Sequence, residues 1–318
     1  MASTMFESTY AAYQEITKTF DIIWALDAGL WNLRTGAQKF YSEHPNATES
    51  QAKDELINGN GLQIHGINLK RIANELTWEY EEQYISELLL TYGIGIFDSW
   101  VDNFVDTVLL NVRNNKRDTI KSDLKKGEFQ SFDNALVEEP ASTLIGCFHI
   151  SANRQDAYID NLRLIYKYFK SCRNCCAHGN HKFTKVAENN YNLIKNLKKE
   201  DCGIKEVPKI VETIKGMPVK LILRGVAGFF DVLIRIIKHY DIVVSDKIAV
   251  DEELKKRWVT IPYQPIPVEV QKRITQARYE KKRNYSIRFH LKSVHMYAPY
   301  VNKTDDVYLF LSNNLLIV

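Results

Sequence analysis

The segment Ser171-Cys172-Arg173-Asn174-Cys175-Cys176-Ala177-His178-Gly179-Asn180-His181 gathers thiols, a guanidinium, amides and imidazoles into one short stretch of chain. Two chemistries fit such a set. Zinc is one, because Cys172, Cys175 or Cys176, His178 and His181 offer the right donor atoms and Cys-x2-Cys is a familiar half-site. RNA cleavage without a metal is the other. A neutral imidazole takes the proton from a ribose 2′-hydroxyl or gives one to a leaving 5′-oxygen, since its pKa lies near neutrality. A guanidinium is permanently charged and forked, matching the charge that builds on phosphate oxygens. An amide orients either group.

Helical projection separates the two. Tyr158, Leu162, Ile165, Phe169, Cys172 and Cys176 recur at spacings of three and four and form one apolar stripe, with Cys175 beside it. Buried free cysteine behaves as a small hydrophobe. His178 and His181 project away from that stripe, and no second Cys or His pair lies nearby, so a metal is not expected. Asn174 and His178 fall one turn apart on the opposite face, with Arg173 on the flank. At about 100° per residue, Arg173 and His178 stand about 140° apart. Either the helix breaks near Gly179 or two protomers pool their residues.

The run Arg173-Asn174-x3-His178 resembles the signature of the HEPN superfamily, in which an Arg, usually followed by a polar residue, precedes a His by four to six intervening positions. The resemblance covers the helical region from about Asn68 to Tyr240. It implies a helical bundle that dimerises so that two motifs meet in one cleft, and an endoribonuclease that leaves a 2′,3′-cyclic phosphate. Toxin, abortive-infection and other defence proteins resemble the same pattern. It implies Arg173, Asn174 and His178 as catalytic residues, with no cofactor. An early acidic residue often accompanies the Arg in that family, so Asp98 or Asp102 is expected to support Arg173; the plainer reading is a solvated acidic face of Asp98, Asp102 and Asp106. His181 is a further candidate support. Arg283 to His290 and Arg288 to His295 also satisfy the spacing, but they fall in sequence that looks strand-like. A non-catalytic HEPN-like module binding nucleotide, RNA or protein is the rival reading.

For RNA grip, the basic helix carrying Lys272, Arg273, Arg278, Lys282 and Arg283 has Tyr279, Tyr285 and Phe289 interleaved, offering phosphate contacts and stacking faces. Lys116, Arg117, Lys121, Lys125 and Lys126 form a second basic stretch. The expected partners are an RNA substrate, a second copy of the chain and an antitoxin or regulatory protein.

The elements that must position these groups are mainly helical. The sequence predicts a helix or helix pair over Tyr10 to Tyr41, a loop over His44 to Gly61, and a long helical stretch from Asn68 to Asn115 with a break at Gly93 and Gly95. Lys125 to Ala141 reads as a connector. Helices are expected from Asp156, over Lys182 to Lys199 and over Pro208 to Tyr240. Beyond Val250 a basic helix from Val268 to about Lys282 precedes short strands at Tyr285 to Leu291 and Val307 to Leu311. This predicts a mainly α fold: an N-terminal helical extension (1–60), a HEPN-like bundle (61–245) and a small mixed α/β C-terminal segment (246–318) for RNA binding or dimerisation.

Forty-two basic against 39 acidic side chains leave a net charge of +3, so any nucleic-acid role must rest on local patches. Met1 to Thr9 lacks a basic stretch followed by an apolar core, so no secretory signal is expected. Leu221 to Ile237 is the nearest approach to a membrane span, but Arg224, Asp231 and Arg235 interrupt it. Five cysteines, three of them crowded together, suit a reducing cytoplasm better than a disulfide framework.

Overall fold

Helices α1 (Glu7–Glu43), α2 (Glu49–Leu56), α3 (Leu69–Asn74), α4 (Trp78–Val108), α5 (Asn114–Lys126) and α6 (Gln130–Glu138) form the first half of the computed structural model. Then come α7 (Ile159–His178), α8 (Lys185–Ile194), α9 (Lys199–Cys202), α10 (Leu223–Ser245) and α11 (Val250–Val259). A short antiparallel pair, β1 (Thr260–Ile261) and β2 (Gln264–Pro265), precedes α12 (Val268–Thr275), α13 (Glu280–Ser293) and α14 (Thr304–Asn313). The structure describes residues 4–57, 66–139, 141–144, 146–148, 157–178, 180–245, 250–261, 264–265, 268–275, 277, 280–293 and 295–314. The fold is mainly α.

Four long helices build the centre. α1 runs antiparallel to α4: Trp100 Nε1 donates to Thr9 Oγ1 (3.2 Å) near one end and Arg34 pairs with Glu81 (3.1 Å) near the other. α10 runs parallel to α4, with Phe230 over Gly93 and Tyr240 6.3 Å from Trp100. α7 lies antiparallel to both, Phe169 stacking on Phe229 at 4.7 Å while Arg163 lies 5.5 Å from the Tyr240 ring. Leu162, Ile165, Phe169 and Cys172 are all buried in this core, as the apolar spacing on α7 predicts.

Local signals explain the boundaries that differ from expectation. α4 starts where the Thr77 hydroxyl accepts the Tyr80 N–H, and Glu79 and Glu81 add negative charge to its first turn. It then runs unbroken through Gly93 and Gly95. Gly93 is a packing residue rather than a breaker: a Cβ there would come 2.9 Å from Phe230 Cζ. The helix expected over Pro208 to Tyr240 begins instead at Leu223, and residues 207–222 precede it without helix. Gly225 lets that segment press against α10, since a Cβ there would lie 2.0 Å from the Lys209 carbonyl oxygen. The expected loop after His44 contains α2, closed by a capping box between Thr48 and Gln51. The expected connector after Lys125 contains α6, whose Phe132 and Leu136 reach the core four residues apart.

The C-terminal strands expected at Tyr285 to Leu291 and Val307 to Leu311 are helical, within α13 and α14. Alternation at 285–291 masked a second pattern, because Ile287, His290 and Leu291 recur at helical spacing and are the residues buried. The chain start is clamped to this region. The Met5 and Phe6 amides donate to the buried Asp241 carboxylate (2.8 and 3.0 Å), and Arg257 Nη1 donates to the Met5 carbonyl (3.1 Å). No helix among the described residues is long and apolar enough to cross a membrane. α10, which holds most of the nearest candidate span, is buried along the bundle.

Candidate active site

α7 is continuous to His178, so no break falls between Arg173 and His178. Arg173 sits against α4. Its Nη2 is 4.0 Å from Asp98 Oδ2, and its Nη1 donates to Asn174 Oδ1 at 3.2 Å. Lys170, one turn earlier, reaches both oxygens of the same carboxylate at 3.1 and 3.2 Å. Burial lowers the Lys170 pKa, while Asp98 acts in the opposite direction. Two cations thus share one carboxylate, which leaves positive charge in excess beside Asn174. Arg173 Nε is buried and has no hydrogen-bond partner among the described residues, so one donor is unspent.

Asn174 and His178 are exposed, one turn apart, on the face away from the core. The acidic row of α4 is not merely solvated. Asp98 turns to Lys170 and Arg173, Asp102 pairs with Lys125 (2.6 Å), and Asp106 pairs with Lys121 (2.7 Å). Of the two candidate supports, Asp98 is beside Arg173 and Asp102 is engaged elsewhere.

The thiols divide differently from expectation. Cys172 and Cys175 are both buried in the core, Cys175 Sγ donating to Thr184 Oγ1 at 3.5 Å. Cys176 is only half-buried and faces Glu87 of α4; burial, with Glu87 adding to it, pushes its thiol up to about 12. The donors Cys172, Cys175 or Cys176, His178 and His181 therefore do not converge as one ligand set, because Cys172 and Cys175 are buried while His178 is exposed away from the core.

His181 follows α7 in a turn held open by left-handed backbone at Asn180 (φ 50°) and His181 (φ 58°). Its amide donates to the Cys175 carbonyl (3.2 Å), and its carbonyl accepts from Val219 N–H (2.8 Å). Its Nδ1 lies 3.4 Å from Glu87 Oε1. Glu87 escaped the sequence reading because it lies far from Cys176 and His181 in the chain. The local signal was Gln83, one turn before it, whose amide donates to Glu87 Oε1 at 2.7 Å.

The expected RNA-gripping residues are spread over two helices. Lys272 and Arg273 on α12 and Lys282 on α13 are exposed, while Arg278 and Tyr279 lie outside the described residues. Arg283 is committed to an ion pair with Asp305, and its guanidinium lies 4.1 Å over the Tyr308 ring. Tyr285 and Phe289 are exposed and stacked, centroids 6.2 Å apart. They line an open cavity of about 1150 Å³ together with Lys281, Arg288 and Lys292. The second basic stretch is largely neutralised: Lys116 pairs with Glu138, Arg117 and Lys121 with Asp106, and Lys125 with Asp102. His239 is buried; His65 and His149 lie outside the described residues.

No protein-family model, curated protein or solved structure matches this chain.

Proposed function

We propose that the chain is a homodimeric, metal-independent endoribonuclease of HEPN type, acting in defence or as a toxin. The observation that carries this reading is Arg173 held beside Asp98 while Asn174 and His178 stay exposed at the end of the same helix. In this chemistry the ribose 2′-oxygen attacks phosphorus and the bond to the 5′-oxygen breaks. The 2′-hydroxyl proton leaves to an imidazole, and the 5′-oxygen receives one from an imidazolium. His178 fills these roles, Arg173 stabilises the charge on the phosphate oxygens, and Asn174 orients the substrate. Products end in a 2′,3′-cyclic phosphate.

The wide angle between Arg173 and His178 on one unbroken helix supports a cleft completed by two copies of α7. A second copy has a surface to use. Tyr80, Tyr84, Leu88 and Tyr92 recur every four residues along α4, all exposed, on the helix that also supplies Asp98. A dimer built there buries this stripe.

The stacked, exposed Tyr285 and Phe289 beside Lys281 and Arg288 favour RNA over a small nucleotide as the ligand, because base stacking and phosphate contacts along a helix suit a strand. The same face is compatible with binding alone. Incubating end-labelled single-stranded RNA with the full chain and with His178→Ala distinguishes them. Cleavage with cyclic-phosphate ends, lost in the variant, supports the enzyme. Retention of RNA without cleavage by either protein replaces it with the binding module.

A further inference from the structure

We propose that Glu87, Cys176 and His181 form a three-ligand site for a zinc-class divalent cation, with the fourth position open to water. One donor atom from each residue lies within 4.8 Å of the other two. Bonds of about 2.0–2.3 Å to a shared ion place tetrahedral ligands roughly 3.3–3.8 Å apart, so side-chain adjustments of about 1 Å close the site. Glu87 Oε1 and His181 Nδ1 are already 3.4 Å apart.

The surroundings call for a cation. Glu87 is 15% exposed, and its only charge partner among the described residues is His181, itself 58% exposed. A carboxylate this sheltered, paired only with an exposed imidazole, leaves room for a stronger counter-charge, which a bound divalent ion supplies. The site is also held in place before any ion arrives. Gln83 spends both ends of its amide: Nε2 donates to Glu87 Oε1 (2.7 Å) and the Val219 carbonyl (3.2 Å), and Oε1 accepts from Leu221 N–H (2.6 Å). The same residue 219 fixes the backbone of His181. A partner that orients a ligating carboxylate in this way is typical of metal sites.

Donor softness selects the ion. A thiolate with an imidazole favours zinc over magnesium or calcium, which take oxygen ligands. On binding, the Cys176 thiol gives up its proton to solvent and the thiolate bonds to the metal. The set keeps Cys176 and His181 from the donors named in the sequence and takes Glu87 in place of Cys172, which is buried in the core, and His178, which is exposed. Its consequence is mechanical: an ion here ties the turn following His178 to α4. The inference is independent of whether the chain cleaves RNA.

The test is metal analysis of the full chain purified without chelator, followed by cobalt(II) substitution. About one zinc per chain is expected, and cobalt should give the near-ultraviolet thiolate-to-metal absorption. Cys176→Ser should abolish that absorption, and Gln83→Ala should weaken zinc affinity by about 10- to 100-fold. The proposal is overturned if the wild-type chain carries no zinc and its Tm is unmoved by equimolar zinc. It is equally overturned if cobalt binds without the thiolate band, a wild-type measurement that stands even if a variant fails to fold. Unchanged zinc content in Cys176→Ser places the ion elsewhere and also overturns it.

Discussion

Arg173–His178 on α7 and Arg283–His290 on α13 carry the same pattern of residues in two regions of one molecule, and their surroundings make them opposites. Both lie in helices, so secondary structure does not separate them, although strand-like sequence at 285–291 suggested that it would. Pairing and burial separate them. His178 is exposed, whereas His290 is 1% exposed and packs edge-on against Trp258 at 4.7 Å. Arg173 shares Asp98 with Lys170 and keeps a spare donor, whereas Arg283 pairs with Asp305, has the Glu280 carboxylate close by as well, and is covered by Tyr308. On the proposed function, a motif of permanent cation and imidazole can act as a reaction centre only where charge is left over and the imidazole meets solvent.

The sharpest way to break this contrast is to remove each imidazole. His178→Ala should lower RNA cleavage by about 10²- to 10⁴-fold, the usual worth of a general acid or base, while His290→Phe should leave the rate unchanged. Initial rates on end-labelled single-stranded RNA decide it, and a His178→Ala enzyme as fast as wild type erases the distinction. Next in size are the cations. Arg173→Ala should cost about 10²- to 10³-fold in kcat with little loss of stability, as for removal of a donor that meets developing charge. Arg283→Ala should do the reverse, keeping kcat and losing about 1 kcal/mol in urea denaturation, the scale of one partly exposed ion pair and one cation–π contact.

How far the sequence foretold this depends on whether each feature is local. The stripe on α7 was legible because its period is a property of one helix, and Leu162, Ile165, Phe169 and Cys172 are buried as that period requires. Cys176 was assigned to the same stripe and does pack against the core, but the stripe meets the edge of the bundle there, so the thiol is only half-buried and also faces Glu87. Gly93 looked like a breaker because propensity sees only the missing side chain, not the Phe230 ring that needs the space. The start of α10 was misplaced for the same reason, since the tight approach of Lys209 at Gly225 is a tertiary contact. The pairing of Asp98 with Arg173 was legible only as a choice between acids one turn apart; the crossing of α4 and α7 makes it.

A smaller effect sharpens the role of Asp98. Asp98→Asn removes the charge shared by Lys170 and Arg173, so the Arg173 side chain should lose its anchor. The expected result is a stability loss of about 1.5–3 kcal/mol, the range for hydrogen bonds to a charged group, together with a lower kcat at unchanged KM. Asp98→Glu should restore part of both. A variant that loses stability but keeps kcat would show that Asp98 serves Lys170 alone.

The smallest effect comes from the buried member of the contrast. Burial lowers the His290 pKa below its ordinary value, with a backbone hydrogen bond to Trp258 opposing it. Protons therefore bind the unfolded chain before they bind the folded one. The stability that His290 contributes is complete above about pH 6.5 and is lost as pH falls through the folded pKa. Urea midpoints taken on either side of that value should fall on acidification in the wild type and fall less in His290→Phe, whose ring keeps the contact with Trp258 and cannot charge. The difference between the two profiles removes the background from carboxylates that titrate in both proteins. Parallel profiles would mean that His290 accepts its proton without cost, and burial would then no longer distinguish it from His178.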